Sequence, residues 1–305
     1  MTISYNDWTS ERIPTEAGKN ILITGANSGL GLQAATVLSQ KGANIIMGVR
    51  NLDKGKEAVA HIKSINPTAK LDLMRIDLSD LDSIRMFSQI FHDKYNTLNA
   101  LMNNAGLMIP PKREITKQGF EIQFGTNHLG HFALTGLLLD IIKNTPDAVV
   151  ATQSSMNHKG GDIHFEDLNW EQKYDKAKAY AQSKLANLLF TYELDRRFKA
   201  FRIDAIATAS HPGYTETNLQ RTSGFFITNI MNKILAQKVE IGALPIIRAA
   251  TDKSLKGGEY IGPTGLMGTR GYPEIVRSND KSYDVQLAGK LWDVSEKLTG
   301  VNYSF

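Results

Sequence analysis

Tyr180 and Lys184 stand four residues apart in a stretch of helical periodicity, so both side chains share one face of the helix. A free phenol titrates near ~10 and is a poor base at neutral pH. A nearby ammonium and an oxidised nicotinamide both favour the phenolate and lower that value. A tyrosine placed this way can give or take an alcohol proton while a hydride moves. Alone the pair is a weak signal, because most such pairs are exposed helix residues. Ser154 and Ser155 follow a short apolar run at 148–152. A hydroxyl there can hold a substrate oxygen and steady developing charge, or merely form a turn. Asn127 falls inside a long helical pattern, where Asn has low propensity. It is either a surface residue or a break in the helix that holds a water beside Lys184.

A second constellation lies near the N-terminus. Gly25, Asn27, Ser28, Gly29, Leu30 and Gly31 form a turn between an apolar run at 21–24 and a helical pattern at 30–40. The spacing is G-x-x-x-G-x-G rather than the G-x-G-x-x-G dinucleotide fingerprint, but the physics is shared. Residues without Cβ let the backbone approach a pyrophosphate, and the helix N-terminus offers free N–H groups. Tight packing alone is the competing explanation. The next strand ends Met47-Gly48-Val49-Arg50, with no acidic residue to hold a ribose 2′-hydroxyl. A guanidinium at Arg50 suits a 2′-phosphate, with Ser28 as a further donor, so the expected cofactor is NADP(H) rather than NAD(H). Asp77-Leu78 and Asn104-Ala105-Gly106 follow the third and fourth apolar runs. The Asp can accept from an adenine amine or cap a turn. The small residues let a cofactor pass close to the strand end.

Positioning all these groups requires a particular scaffold. Apolar runs at 21–24, 44–49, 71–76, 98–102, 148–152 and 203–208 alternate with helical patterns at 30–40, 53–64, 79–95, 117–143 and 176–199. That rhythm predicts a single-domain α/β fold: a Rossmann-type doubly wound parallel sheet in a three-layer αβα arrangement. After Pro212 the rhythm breaks. An apolar, helix-like stretch within 214–240 reads as a lid over the substrate, which suggests a bulky apolar substrate. A membrane-surface helix is the other reading. Residues 263–305 read as a C-terminal extension.

Composition narrows the function classes. The chain has 305 residues and a net charge of +4, with no basic run, which argues against nucleic-acid binding. It has no cysteine, which excludes disulfides, thiolate catalysis and Cys-ligated zinc. No apolar window is long enough for a membrane span and no signal peptide is visible, so a cytoplasmic protein is expected. His128 and His131 are three apart on a helix, but no third ligand accompanies them and no metal is expected.

In their order along the chain, Thr24–Gly31, Asn103–Gly106, Asn127, Ser155, Tyr180, Lys184 and Pro212-Gly213 resemble the short-chain dehydrogenase/reductase family from about residue 19 to 262. Each motif is weak alone; their joint order and spacing are specific. The resemblance implies Tyr180 as acid/base, Ser155 as donor to the substrate oxygen, Lys184 on the ribose hydroxyls and Asn127 on a relay water. It also implies Pro212, Gly213, Thr215 and Thr217 as nicotinamide-side contacts. Arg50-Asn51, the run 127–132 and the run 183–187 look most like the retinol dehydrogenase and protochlorophyllide reductase branch. Light-dependent protochlorophyllide reductases use cysteines near their pigment, and this chain has none, so that activity is set aside. The expectation is an NADP(H)-dependent oxidoreductase acting on an apolar aldehyde, ketone or alcohol. The alternative is an NADP(H)-binding redox sensor without turnover, against which the complete Asn–Ser–Tyr–Lys set argues. Leu185, Leu188, Leu189, Tyr192 and Leu194 on the 176–199 helix either cover the sheet or build a dimer interface, so monomer and homo-oligomer stay open.

Overall fold

The computed structural model describes residues 7–214 and 237–305. Its strands are β1 (Asn20–Thr24), β2 (Asn44–Val49), β3 (Lys70–Arg75), β4 (Ala100–Asn103), β5 (Ala148–Gln153), β6 (Ala205–Ser210), β7 (Tyr260–Thr264) and β8 (Arg270–Val276). They form one sheet in the order β3-β2-β1-β4-β5-β6-β7-β8. Pairing is parallel from β3 through β7, and β8 runs antiparallel at the edge. The strand order reverses between β1 and β4, and the crevice outside their carboxyl ends is where such sheets bind ligands.

Helices α1 (Gly29–Gln40), α2 (Leu52–Ile65), α3 (Leu81–Lys94), α4 (Gly130–Leu137), α5 (Lys176–Ala200), α6 (Leu244–Thr251) and α7 (Val285–Thr299) make the outer layers. On one face Leu38 of α1, Ile62 of α2 and Ile246 of α6 pack with Ile21, Ile23 and Ile45 of the sheet. On the other, Phe87 and Phe91 of α3, Phe132 of α4 and Phe190 and Phe198 of α5 pack with Leu22, Ile46 and Val150. This is the expected three-layer αβα sandwich. Asn51, Asp80 and Asp175 cap α2, α3 and α5, each accepting backbone N–H bonds from the first turn.

One expectation needs correction. The helix expected over 117–143 starts later and is broken. Gly119 turns the chain with φ +86, and Ile115 and Glu121 form an antiparallel bridge. Glu121 then caps a short helix at Ile122–Phe124, its carboxylate accepting from Gln123 N (3.0 Å) and Phe124 N (2.8 Å). A π turn follows at Gly125–Leu129, then α4. Residues 263–305, expected as a C-terminal extension, pack into the same fold. β8 completes the sheet, and α7 lies across α5, with Trp292 stacked on Phe190 (5.8 Å) and Arg197 over the Trp292 ring (4.1 Å). Most of the expected lid lies outside the described residues. Its flanks, Tyr214 and Gln237, are hydrogen-bonded to each other (2.9 Å).

Candidate active site

The carboxyl ends of β1, β2, β3 and β4 border a cavity of about 500 Å³. It is lined by Gly25, Asn27, Ser28, Gly29, Leu30, Gly31, Arg50, Asp77, Leu78, Asn104, Ala105 and Gly106, so segments distant in sequence meet as expected. The glycine turn is shaped for backbone approach. Gly25 and Gly29 have φ of +70 and +52. A Cβ on Gly31 would lie 2.4 Å from Gly25 O and 2.6 Å from Asn104 Nδ2. Ser28 is the N-cap of α1 and makes no side-chain capping bond, which leaves the helix N-terminus open to an anion. Thr24 ties the two strand ends together: its Oγ1 accepts from Asn104 N and Ala105 N, both at 3.0 Å.

Arg50 is exposed at the other side of the cavity. Lys54, one turn into α2, lines it too and was missed in the sequence, although its i+4 spacing from Arg50 was visible. Gly48, Asn51, Ile76, Leu107 and Thr126 were missed as well. Thr126 Oγ1 is buried with no hydrogen-bond partner in the protein. Asp77 shows the turn role, since its Oδ1 accepts from Ser79 N (3.0 Å) and Ser79 Oγ (2.6 Å), yet it still borders the cavity. These features fit a dinucleotide: an open helix N-terminus and a turn no Cβ could share, with two cations bordering the same cavity.

The second constellation adjoins this cavity through Gly106. A Cβ there would be 3.1 Å from Asn127 Oδ1 and 3.5 Å from Lys184 Nζ. Lys184 Nζ donates to Gln153 O (3.1 Å) and lies 5.7 Å from the Tyr180 ring centre. Both side chains are buried. Burial pulls the Lys184 ammonium down to about 8. Burial also pushes the Tyr180 phenol up to about 12, against a hydrogen bond with Ser155 that lowers it. The expected lowering by the lysine does not show: loss of water dominates the phenol, and the hydrogen bond with Ser155 is what opposes it.

The serine pair divides by geometry. Ser154 Oγ donates to Lys184 O (2.8 Å) and is committed to the helix. Ser155 caps a 3-10 turn at Met156–Gly160, and its Oγ accepts from Asn157 N (3.3 Å). Its own proton is left for Tyr180 or a substrate oxygen. Asn127 sits in the π turn and is fully buried, so the surface reading fails. Its Nδ2 donates to Leu107 O and Ser183 Oγ, both 3.0 Å, and its Oδ1 accepts from Leu107 N (2.9 Å). The side chain thus pins the segment after β4 to α5. His131 Nδ1 lies 2.9 Å from Asn127 O, and because a carbonyl only accepts, Nδ1 carries the proton. Its Nε2 then accepts from Thr24 Oγ1 (2.9 Å), which joins the two constellations. His128 bonds Ser295 Oγ (2.9 Å), and no metal-ligand cluster occurs among the described residues. Pro212 and Gly213 follow β6 but do not line the cavity; Thr215 and Thr217 lie outside the described residues.

Residues 19–224 match the family described as short chain dehydrogenase. The chain belongs to that family. Human retinol dehydrogenase 14 is 36% identical to this short chain dehydrogenase over 304 residues, covering 93% of this chain and 87% of that protein. Human retinol dehydrogenase 13 is 37% identical over 297 residues, with 94% and 86% covered. The short-chain dehydrogenase TIC 32 B of Brassica napus, a chloroplastic protein, is 35% identical over 289 residues, with 91% and 87% covered. Among solved structures, an uncharacterized protein from Mycobacterium Paratuberculosis superposes with a TM-score of 0.82 at 39% identity, covering 98% of this chain and all of that one. This short chain dehydrogenase is an oxidoreductase of the retinol dehydrogenase-like branch. No helix among its described residues is long and apolar enough to cross a membrane.

Proposed function

We propose that this protein transfers hydride between NADP(H) and the carbonyl or alcohol carbon of an apolar aldehyde, ketone or alcohol. The observation that carries the reading is the meeting, at Gly106, of the glycine-turn cavity with the Ser155–Tyr180–Lys184 group. Arg50 and Lys54 both line the cavity, which supports neutralisation of a 2′-phosphate there, and β2 ends in Val49 rather than in a carboxylate. When bound, the nicotinamide supplies or accepts the hydride, and its oxidised form adds positive charge beside the phenol.

The protein groups supply the rest. Ser155 Oγ–H donates to the substrate oxygen as charge develops there. Tyr180 gives its proton to that oxygen during reduction and takes it back during oxidation. Lys184, held on Gln153 O, keeps a positive charge near both the phenol and the ribose position. The buried setting excludes water from the phenol and keeps it protonated until a charge or substrate demands otherwise. The test is oxidation of NADPH and NADH, in parallel, against aldehydes and ketones of graded apolar size. Turnover with NADPH well above NADH, rising with apolar size, is expected. Preference for NADH, or for small hydrophilic ketones, overturns the corresponding part of the reading.

A further inference from the structure

We infer that His158 is a positioning residue for Ser155, and that Asn279, from the segment before α7, fixes the imidazole in the tautomer this requires. The inference rests on the proposed role of Ser155. His158 lies three residues after the serine, inside the 3-10 turn that Ser155 caps, and is 1% exposed. Its backbone N–H donates to Ser155 O at 3.1 Å, and its Nδ1 reaches the same oxygen at 2.7 Å. A carbonyl accepts only, so Nδ1 carries the proton. The other nitrogen gives the same answer independently. Asn279 N lies 3.2 Å from Nε2, and a backbone N–H donates only, so Nε2 is the unprotonated nitrogen.

The grip is two-sided. Asn279 Nδ2 also donates to His158 O at 3.4 Å, so one residue of the C-terminal segment holds both the ring and the backbone of the histidine. The ring edge meets Tyr260 of β7 at 89° with centres 5.5 Å apart. Ring packing alone would suit a phenylalanine. The match of both nitrogens to groups of fixed polarity would not arise from packing, and it ends on the residue whose hydroxyl faces Tyr180. Rotation about the Ser155 backbone would swing Oγ away from the phenol. The two hydrogen bonds that His158 donates to Ser155 O resist that rotation, so a segment over a hundred residues away in sequence sets where the hydroxyl points.

Three replacements separate positioning from filling. In His158→Asn, Nδ2 takes the place of Nδ1 and can still donate to Ser155 O. His158→Gln offers its amide near the Nε2 position instead, and His158→Phe keeps only shape. Steady-state kinetics of NADPH-dependent reduction are compared with NADPH binding for each, with Ser155→Ala as reference. We expect kcat to fall about tenfold or more in the Phe and Gln variants, the cost of one lost hydrogen bond that holds Ser155 in place. The Asn variant should stay within about threefold of the parent, with NADPH affinity unchanged throughout. Nitrogen-15 histidine NMR of the parent enzyme reads the tautomer whether or not the variants fold, and a neutral Nδ1–H ring is expected at His158. An Nε2–H tautomer, full kcat in the Phe variant, or an Asn variant as impaired as Phe overturns the inference alone. Full turnover in Ser155→Ala would overturn the proposed mechanism, and the inference with it.

Discussion

Replacing Gly31 by alanine adds one methyl group at the tightest point of the cofactor turn. That methyl would lie 2.4 Å from Gly25 O and 2.6 Å from Asn104 Nδ2, so something must move by roughly 1 Å. Neither neighbour yields easily. Gly25 N is bonded to Gly48 O (2.8 Å), and Asn104 Nδ2 to Thr24 O (2.8 Å). Overpacking of this kind costs about 1–3 kcal/mol, while the gain in helix propensity returns up to about 1 kcal/mol. The net is a destabilisation of about 1–2 kcal/mol, or a fall in Tm of roughly 2–3 °C for a chain of this size. Gly289, inside α7, provides the control, because a Cβ there meets nothing within 4 Å. The same chemical change should stabilise by about 0.5–1 kcal/mol at that position. Thermal unfolding followed by circular dichroism, with and without NADPH, measures both. Gly31→Ala should also weaken NADPH about tenfold or more, since the carbonyl it displaces belongs to the turn proposed to meet the pyrophosphate. An unchanged Tm and affinity in Gly31→Ala, or equal shifts in the two variants, would refute the argument.

Tyr180→Phe should abolish turnover while leaving NADPH binding within a few-fold of the parent, as measured by fluorescence titration; residual turnover near the parent rate would remove the tyrosine from the chemistry. Arg50→Ala should weaken NADPH about tenfold, the worth of one charge-assisted hydrogen bond at an exposed site, and leave NADH nearly unchanged. Equal losses for both would place Arg50 elsewhere on the cofactor. Burial holds the Lys184 ammonium at about 8, so the charge is present below that pH and lost above it. In the reduction direction kcat/KM, which reports the free enzyme, should therefore be level below about pH 8 and fall above it. Lys184→Arg keeps its charge and should lose that alkaline fall, whatever its plateau; a parent profile flat through that range would contradict the assignment.

The strands were legible because each is an apolar run closed by turn residues, and parallel strands buried on both faces read that way. The glycine turn and Arg50 were legible because their chemistry is local. Thr126 and Leu107 were not, because they reach the cavity from segments whose placement depends on the π turn at Gly125–Leu129. That turn left almost no trace in the apolar pattern, since Phe124, Leu129 and Phe132 remain buried across it; only the low helix propensity of Asn127 hinted at a break. The Tyr180–Lys184 spacing was readable, but spacing says nothing about burial, and burial dominates both titrations. His158 gave no signal at all. Its meaning lies in an N–H of Asn279, and sequence distance of that order hides any such pairing.

Leu185, Leu188, Leu189, Tyr192 and Leu194, the residues weighed as a dimer interface, are all buried within the chain, under the sheet on one side and near α7 on the other. Tyr180 and Lys184 are thus carried on a helix with little free surface. Change in such an element is restricted by its neighbours on both sides, so the pair proposed to handle the proton has little room to drift. The segment at 107–114, which follows β4, is half-buried or exposed throughout and is under no such confinement. A lineage built on this plan would diversify what it accepts far more readily than what it does to it.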